Sequence, residues 1–212
     1  MVALSGPPHV AQQYGVSYTY HAMWAYFSRD DVALPGLAAW FAACSLEERD
    51  HGAWRPRFLS PLGLAVTSCM SADACAPRCA AAGLMSYQNL RGGRVALGGL
   101  APPPAEFGGS GVDDALAALS TALALERTNY TKLLELRAVA EAAGDAHLTG
   151  YCDGLLEDQI ASVRKCADFV AQVRRCGPGY GTWAWDKALG EAVAAAGGGA
   201  AAADAVGAIA PP

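Results

Sequence analysis

The stretch SLEERDHGAW, residues 45–54, decides the fold. Leu37, Phe41 and Cys44 step by four and three residues toward Glu48 and His51, so an apolar helical stripe turns polar in mid-helix. Glu48-Arg49-Asp50-His51 sets a carboxylate and an imidazole at i and i+3, one turn apart on the same face. Taking a polar group into a bundle core without a partner costs roughly a few kcal/mol. One such interruption therefore asks for others to face it.

Three further segments supply them. Gln13 precedes Val16, Tyr20, Met23 and Phe27 at the same three-four spacing, which turns Gln13 and Tyr20 inward. Glu126 falls between Leu123 and Tyr130, and Gln159 between Leu155 and Ser162. No Lys or Arg shares these stripes at that level, so a bound cation is the reading that neutralises Glu48 and Glu126. Inward Glu residues on several helices with a Glu-x-x-His unit form the ligand pattern of a di-iron bundle. Oxygen-rich ligation with a single imidazole suits iron better than structural zinc, which prefers thiolates and histidines. A surface pair would explain a lone Glu48/His51 motif, but not four aligned interruptions.

Outward from this zone, helical periodicity predicts an all-α chain with a four-helix bundle, a long crossover between helices two and three, and a short fifth helix. The first helix is expected over about 8–28 and the second from Leu37, after Pro35, to at least Trp54. Residues 55–83 lose the period and carry Pro56, Pro61 and Pro77 with Cys69, Cys75 and Cys79, in a spacing that matches no zinc pattern well. They read as an insertion within helix two, either a gene-model artefact or a protruding loop. Helical character resumes at Leu84–Leu90, followed by a Gly- and Pro-rich crossover over 91–111. The third helix is expected over Val112–Ala143, the fourth over Ala146–Cys176 and the fifth around Tyr180–Leu189, with breaks at Gly144-Asp145 and Gly177-Pro178-Gly179. Residues 1–190 form one domain. Residues 191–212, eleven of them alanine, are expected to be a mobile tail with nothing to dock against.

Composition narrows the partners. The 212 residues are 53% hydrophobic and 17% charged, with 15 Lys and Arg against 20 Asp and Glu. A net charge of −5 offers no footprint for nucleic acid or an anionic membrane. The longest uncharged stretch, Met1–Ser28, holds Pro7, Pro8, Gln12 and Gln13, which argues against a membrane span. It also lacks the basic residues of a signal or transit peptide, pointing to a cytosolic chain or a mature or truncated form. Of seven cysteines, Cys44, Cys152, Cys166 and Cys176 fall in helical patterns as small buried residues rather than in a disulfide framework.

The strings SYTYHAMWAYFSRDDVAL, SLEERDHGAW, YQNLRGGRVAL, LALERTNYTKLLEL and LLEDQIASVRKCADFVAQVRRCGPGYGTWAWDKAL cover most of residues 12 to 189. In them the chain resembles the ferritins, closest to the plant and algal type. That resemblance implies a shell of twenty-four subunits that oxidises Fe(II) with O2 at an intra-bundle di-iron centre and stores the ferric mineral. It implies that Glu48 bridges the metals, that His51 binds one iron and Glu126 the other, that Gln159 lies close by, and that Tyr20 hydrogen-bonds within the centre. Glu47 matches an acidic residue associated with iron transit or nucleation. Gln13 stands where active ferritins have a glutamate ligand, which implies weaker binding at the first iron. Gly150 and Asp153 fall where channel-lining acids are common. Plastid location follows from the resemblance, with the cytoplasm as alternative. The competing readings are a slow or inactive cage-forming subunit and a helical bundle that binds no metal.

Overall fold

The computed structural model describes residues 8–50, 80–108, 113–199 and 202–203. Within them the chain forms α1 (Pro8–Phe27), α2 (Pro35–Asp50), α3 (Ala80–Leu90), α4 (Asp114–Ala142), α5 (Ala146–Cys176) and α6 (Tyr180–Ala195), with no strand among the described residues. None of these helices is long and apolar enough to cross a membrane. The all-α, four-helix plan holds, with α2 and α3 on either side of the expected insertion.

Capping chemistry explains the boundaries. Asp113 accepts from the Leu116 amide and Asp145 from the Leu148 amide, both at 3.1 Å, opening α4 and α5. Gly177, at φ 73°, ends α5 in a conformation that favours glycine. α1 packs along α2 and α4 along α5, and α6 docks chiefly on α2. The α1–α2 contact is fixed where Ser17 Oγ donates to the Ser45 carbonyl at 2.9 Å and Ser45 Oγ donates to the Ser17 carbonyl at 3.0 Å. A larger side chain at either position would push the helices apart at the level of the polar zone.

The apolar core divides into two clusters. In the first, Trp40 lies against Phe41 and Phe169, with ring centroids 4.9 and 5.1 Å away, and Phe169 meets Trp185 of α6 edge-on. The second gathers Leu84, Tyr87, Leu133, Leu136, Leu148 and Leu155. Between them lie the buried polar residues Gln13, Glu126, Asn129 and Gln159. At the far end of α3, Arg91 pairs with Asp145 at 2.7 Å and Tyr87 Oη lies 2.9 Å from His147 Nδ1, tying the start of the crossover to the α4–α5 turn.

Four sequence expectations differ from the structure. α3 starts at Ala80 rather than Leu84, because Ala80, Ala81 and Ala82 favour helix and simply extend its first turn. Cys176 is exposed, at the last residue of α5, whereas Cys44, Cys152 and Cys166 are buried. α6 runs past Leu189 to Ala195 and buries Val193, so residues 191–195 belong to the helix rather than to a tail. Ala202 and Ala203 are also buried in the first cluster, where small methyls fit without needing a large apolar face. The other expectations for 51–79 and for the rest of the tail lie outside the described residues.

One clamp joins the ends of the fold. The buried Asp186 carboxylate accepts from the Gly36 and Leu37 amides at 3.0 and 2.6 Å, so a side chain of α6 caps the first turn of α2. Burial raises the Asp186 carboxyl pKa while these two bonds lower it, with the net shift upward. A β-carbon at position 36 would overlap the Asp186 carbonyl, which is why glycine stands there. Asp186→Ala leaves two buried amides unpaired, and it is expected to lower unfolding free energy by about 2 kcal/mol in denaturant titration. Gly36→Ala should destabilise comparably by displacing α6.

Candidate metal centre

Three helices deliver the centre of the polar zone. Glu126 of α4 is only 4% exposed, and its carboxylate accepts from Tyr20 Oη of α1 and from Gln159 Nε2 of α5. Gln159 Nε2 also reaches the Glu126 carbonyl at 3.2 Å. Each donor sits on its helix at the inward step read from the sequence, so Tyr20, Glu126 and Gln159 meet as expected. Burial raises the Glu126 carboxyl pKa, and the bonds from Tyr20 and Gln159 only partly offset that. Burial, followed by the Glu126 charge, holds the Tyr20 phenol well above its ordinary value, so Tyr20 remains a donor.

Glu48 of α2 is half-buried beside this cluster. Burial and the charges of Glu126 and Glu47 push its carboxyl well above the usual carboxylate range. Two small cavities adjoin it. One, of about 30 Å³, is lined by Tyr20, Trp40, Cys44, Glu47, Glu48, Glu126, Ser162, Lys165, Cys166 and Ala203. The other, of about 40 Å³, is lined by Glu47, Glu48, Leu133, Leu155, Asp158, Gln159 and Ser162. Each has room for a water-sized species next to carboxylate oxygen. Two like-charged carboxyls held in the interior with raised pKa values are stabilised by a cation, which supplies the charge that water would otherwise screen.

Other expected members are placed differently. Gln13, 3% exposed, lines neither cavity; its Oε1 accepts from Asn129 Nδ2 at 3.1 Å. Asn129 is 0% exposed and its own Oδ1 has no hydrogen-bond partner. His51 lies outside the described residues, and the side chain of Asp50 is likewise not described. Among the described residues no three His, Cys, Asp or Glu groups converge closely enough to hold a metal ion. The donor set explains this: Gln13 and Gln159 are amides, and His51 falls beyond the described part of α2.

The stripes hold no Lys or Arg, as expected, but Lys165 lines the first cavity with its side chain. Cys166, its neighbour, occupies the inward stripe; the long lysine stem reaches the cavity from the flank, which periodicity alone does not register. Asn129 was also missed. It sits at i+3 from Glu126, on the same face, so the spacing rule could have found it, but the apolar Tyr130 at i+4 fitted the stripe first.

Comparison with known proteins follows the same geometry. Residues 74–176 match the ferritin family model, described as a ferritin-like domain. A crystal structure of ferritin from the multicellular green alga Ulva pertusa superposes with a TM-score of 0.71 at 38% identity, covering 86% of this chain and 80% of that one. The chain belongs to the ferritin family. "Ferritin-1, chloroplastic" of Nicotiana tabacum is 40% identical over 84% of this chain and 59% of its own length. "Ferritin-2, chloroplastic" of Glycine max is 39% identical over 84% of this chain and 58% of its own. The chain thus spans under two thirds of the length of these curated ferritins.

Within this ferritin the Gln13–Asn129 pair is open to a direct test. Asn129→Leu strands the Gln13 amide and should cost on the order of 1–3 kcal/mol, whereas Gln13→Leu with Asn129→Leu recovers much of it. Additive losses in denaturant titration would show that the two amides are not coupled. The raised Glu48 carboxyl also has a pH signature. Because the folded metal-free protein holds that proton more tightly than the unfolded chain, stability falls as pH rises from the ordinary carboxylate range through the raised value. Glu48→Gln should therefore raise the melting temperature of the metal-free protein at alkaline pH, with the gain vanishing at acid pH where both states are protonated.

Proposed function

We propose that this chain is an iron-storage ferritin subunit that binds Fe(II), oxidises it to Fe(III) with O2 inside the bundle and holds the ferric product within a shell of twenty-four subunits. The observation that carries the proposal is the buried Glu126 carboxylate, gripped by Tyr20 and Gln159 beside Glu48. Iron is the substrate. Glu48 and Glu126 supply negative oxygen donors, which stabilise Fe(III) over Fe(II) and so favour loss of the electron. His51 would add the imidazole, and Gln159 a neutral oxygen once its amide turns from Glu126. Tyr20 holds the proton that orients Glu126. Glu47, on the wall of both cavities, would pass iron between the centre and the mineral. The plastid is the proposed location, since the relatives bear the word "chloroplastic" in their names.

A second reading, a cage subunit that oxidises slowly, is favoured by one observation. Gln13 carries no charge and its amide oxygen is engaged by Asn129. Loss of one anionic ligand weakens the first metal position, which leaves Glu48, Glu126 and His51 to do most of the binding.

Aerobic addition of Fe(II) to the assembled protein, followed by the rise in ferric absorbance, tests both. Glu126→Ala should abolish the fast rise, and Gln13→Glu should speed it by about tenfold if the missing charge is the limiting feature. Equal rates for wild type and Glu126→Ala would remove the ferroxidase reading. Elution as a small species on a sizing column would remove the shell.

A further inference from the structure

The Gln13–Asn129 pair leaves one buried oxygen over. A side-chain amide offers one carbonyl oxygen and two N–H groups, so a single bond between two amides consumes only one of their two oxygens. Asn129 Nδ2 donates to Gln13 Oε1 at 3.1 Å, and Asn129 Oδ1, in a side chain 0% exposed, has no donor among the described residues. Turning both amides over moves the surplus oxygen to Gln13 without removing it. An oxygen left so in the interior carries the full cost of losing water, a cost that a donor or a cation removes.

Asn129 stands three residues after Glu126, on the buried face of α4 that continues to Leu133. Glu126-Arg127-Thr128-Asn129 thus repeats on α4 the spacing of Glu48-Arg49-Asp50-His51 on α2, a carboxylate followed one turn later by a neutral donor. Glu126 walls the first cavity and Leu133 the second, so along α4 Asn129 falls between two spaces that both adjoin Glu48. We propose that Asn129 is a metal-binding residue whose Oδ1 supplies a neutral oxygen to a divalent cation held by Glu126. The proposal rests on the iron reading above and adds a donor to it. Gln13 is then a positioning residue: it takes the amino end of the Asn129 amide and leaves the oxygen end for the ion. Cations that favour carboxylate oxygen also accept amide oxygen, with an affinity that falls as charged ligands give way to neutral ones. Weaker binding suits an ion that must leave after oxidation.

The test is titration of the full, metal-free protein with redox-inert Co(II), followed by visible absorbance and by melting temperature. If wild type shows no Co(II) binding that Glu126→Ala removes, the iron reading is overturned and this proposal with it. Where wild type binds, Asn129→Leu should weaken the affinity roughly tenfold, and by more than Gln13→Leu does. An equal or greater loss in Gln13→Leu assigns the ligand to Gln13 and overturns the proposal. Asn129→Asp keeps the oxygen and adds a charge, so it informs even if Asn129→Leu does not fold. Its metal-free melting temperature should fall, because a second acid then stands one turn from Glu126. Its Co(II) affinity should rise roughly tenfold, and Co(II) should lift its melting temperature by more than it lifts that of wild type. A merely structural Asn129 would move the metal-free melting temperature alone. That outcome, with Co(II) affinity unchanged in Asn129→Asp, overturns the proposal while the iron reading stands.

Discussion

Keeping a carboxylate inside a helical bundle is the constraint on which the rest of this structure depends. Glu126 is out of reach of bulk water, and an isolated charge there would neutralise itself by taking up a proton. The chain surrounds it with two donors from two other helices, Tyr20 and Gln159, which offset part of that cost. Those bonds are made only if α1, α4 and α5 hold their relative height. The apolar clusters above and below supply that registry: Trp40, Phe41 and Phe169 at one end, Leu84, Leu133 and Leu148 at the other. The polar layer is thus specified by its own geometry and held in place by the packing around it.

The same layer shows an economy of chemical types. Its members are the acids Glu47, Glu48 and Glu126, amides, a phenol and, at the edge, thiols and an ammonium. A structural core gains little from a concentration of acids, since each must be matched by a neighbour and replacing a matched polar network with apolar side chains is often neutral or stabilising. Their retention in four helices at once argues that the layer serves a charged visitor. The neutral Gln13–Asn129 pair is the exception, because it satisfies one amide oxygen internally and leaves less for a ligand.

Much of this could be read from the sequence because periodicity on long helices is a strong signal. α5 spans the residues that its stripe and its glycine stop indicate, and Tyr20, Glu126 and Gln159 turn inward at the steps their neighbours set. What escaped reading was of three kinds. Lys165 reaches the cavity by the length of its side chain rather than by its angular position on the helix. Ala203 follows a run of small residues, and such a run gives no amphipathic pattern from which docking could be inferred. Asn129 was hidden by a competing aromatic one position away.

The Asp186 clamp has a bearing on how α2 is held in place. α2 is gripped at its first turn by α6, through Asp186, and near its middle by the Ser17–Ser45 exchange with α1. Glu47 and Glu48 follow within three residues of that second grip. Their placement is therefore fixed from upstream, before the chain leaves Asp50 and re-enters at Ala80. The acid-bearing half of α2 is thus held by two grips on its N-terminal side, and neither of them involves the chain beyond Asp50.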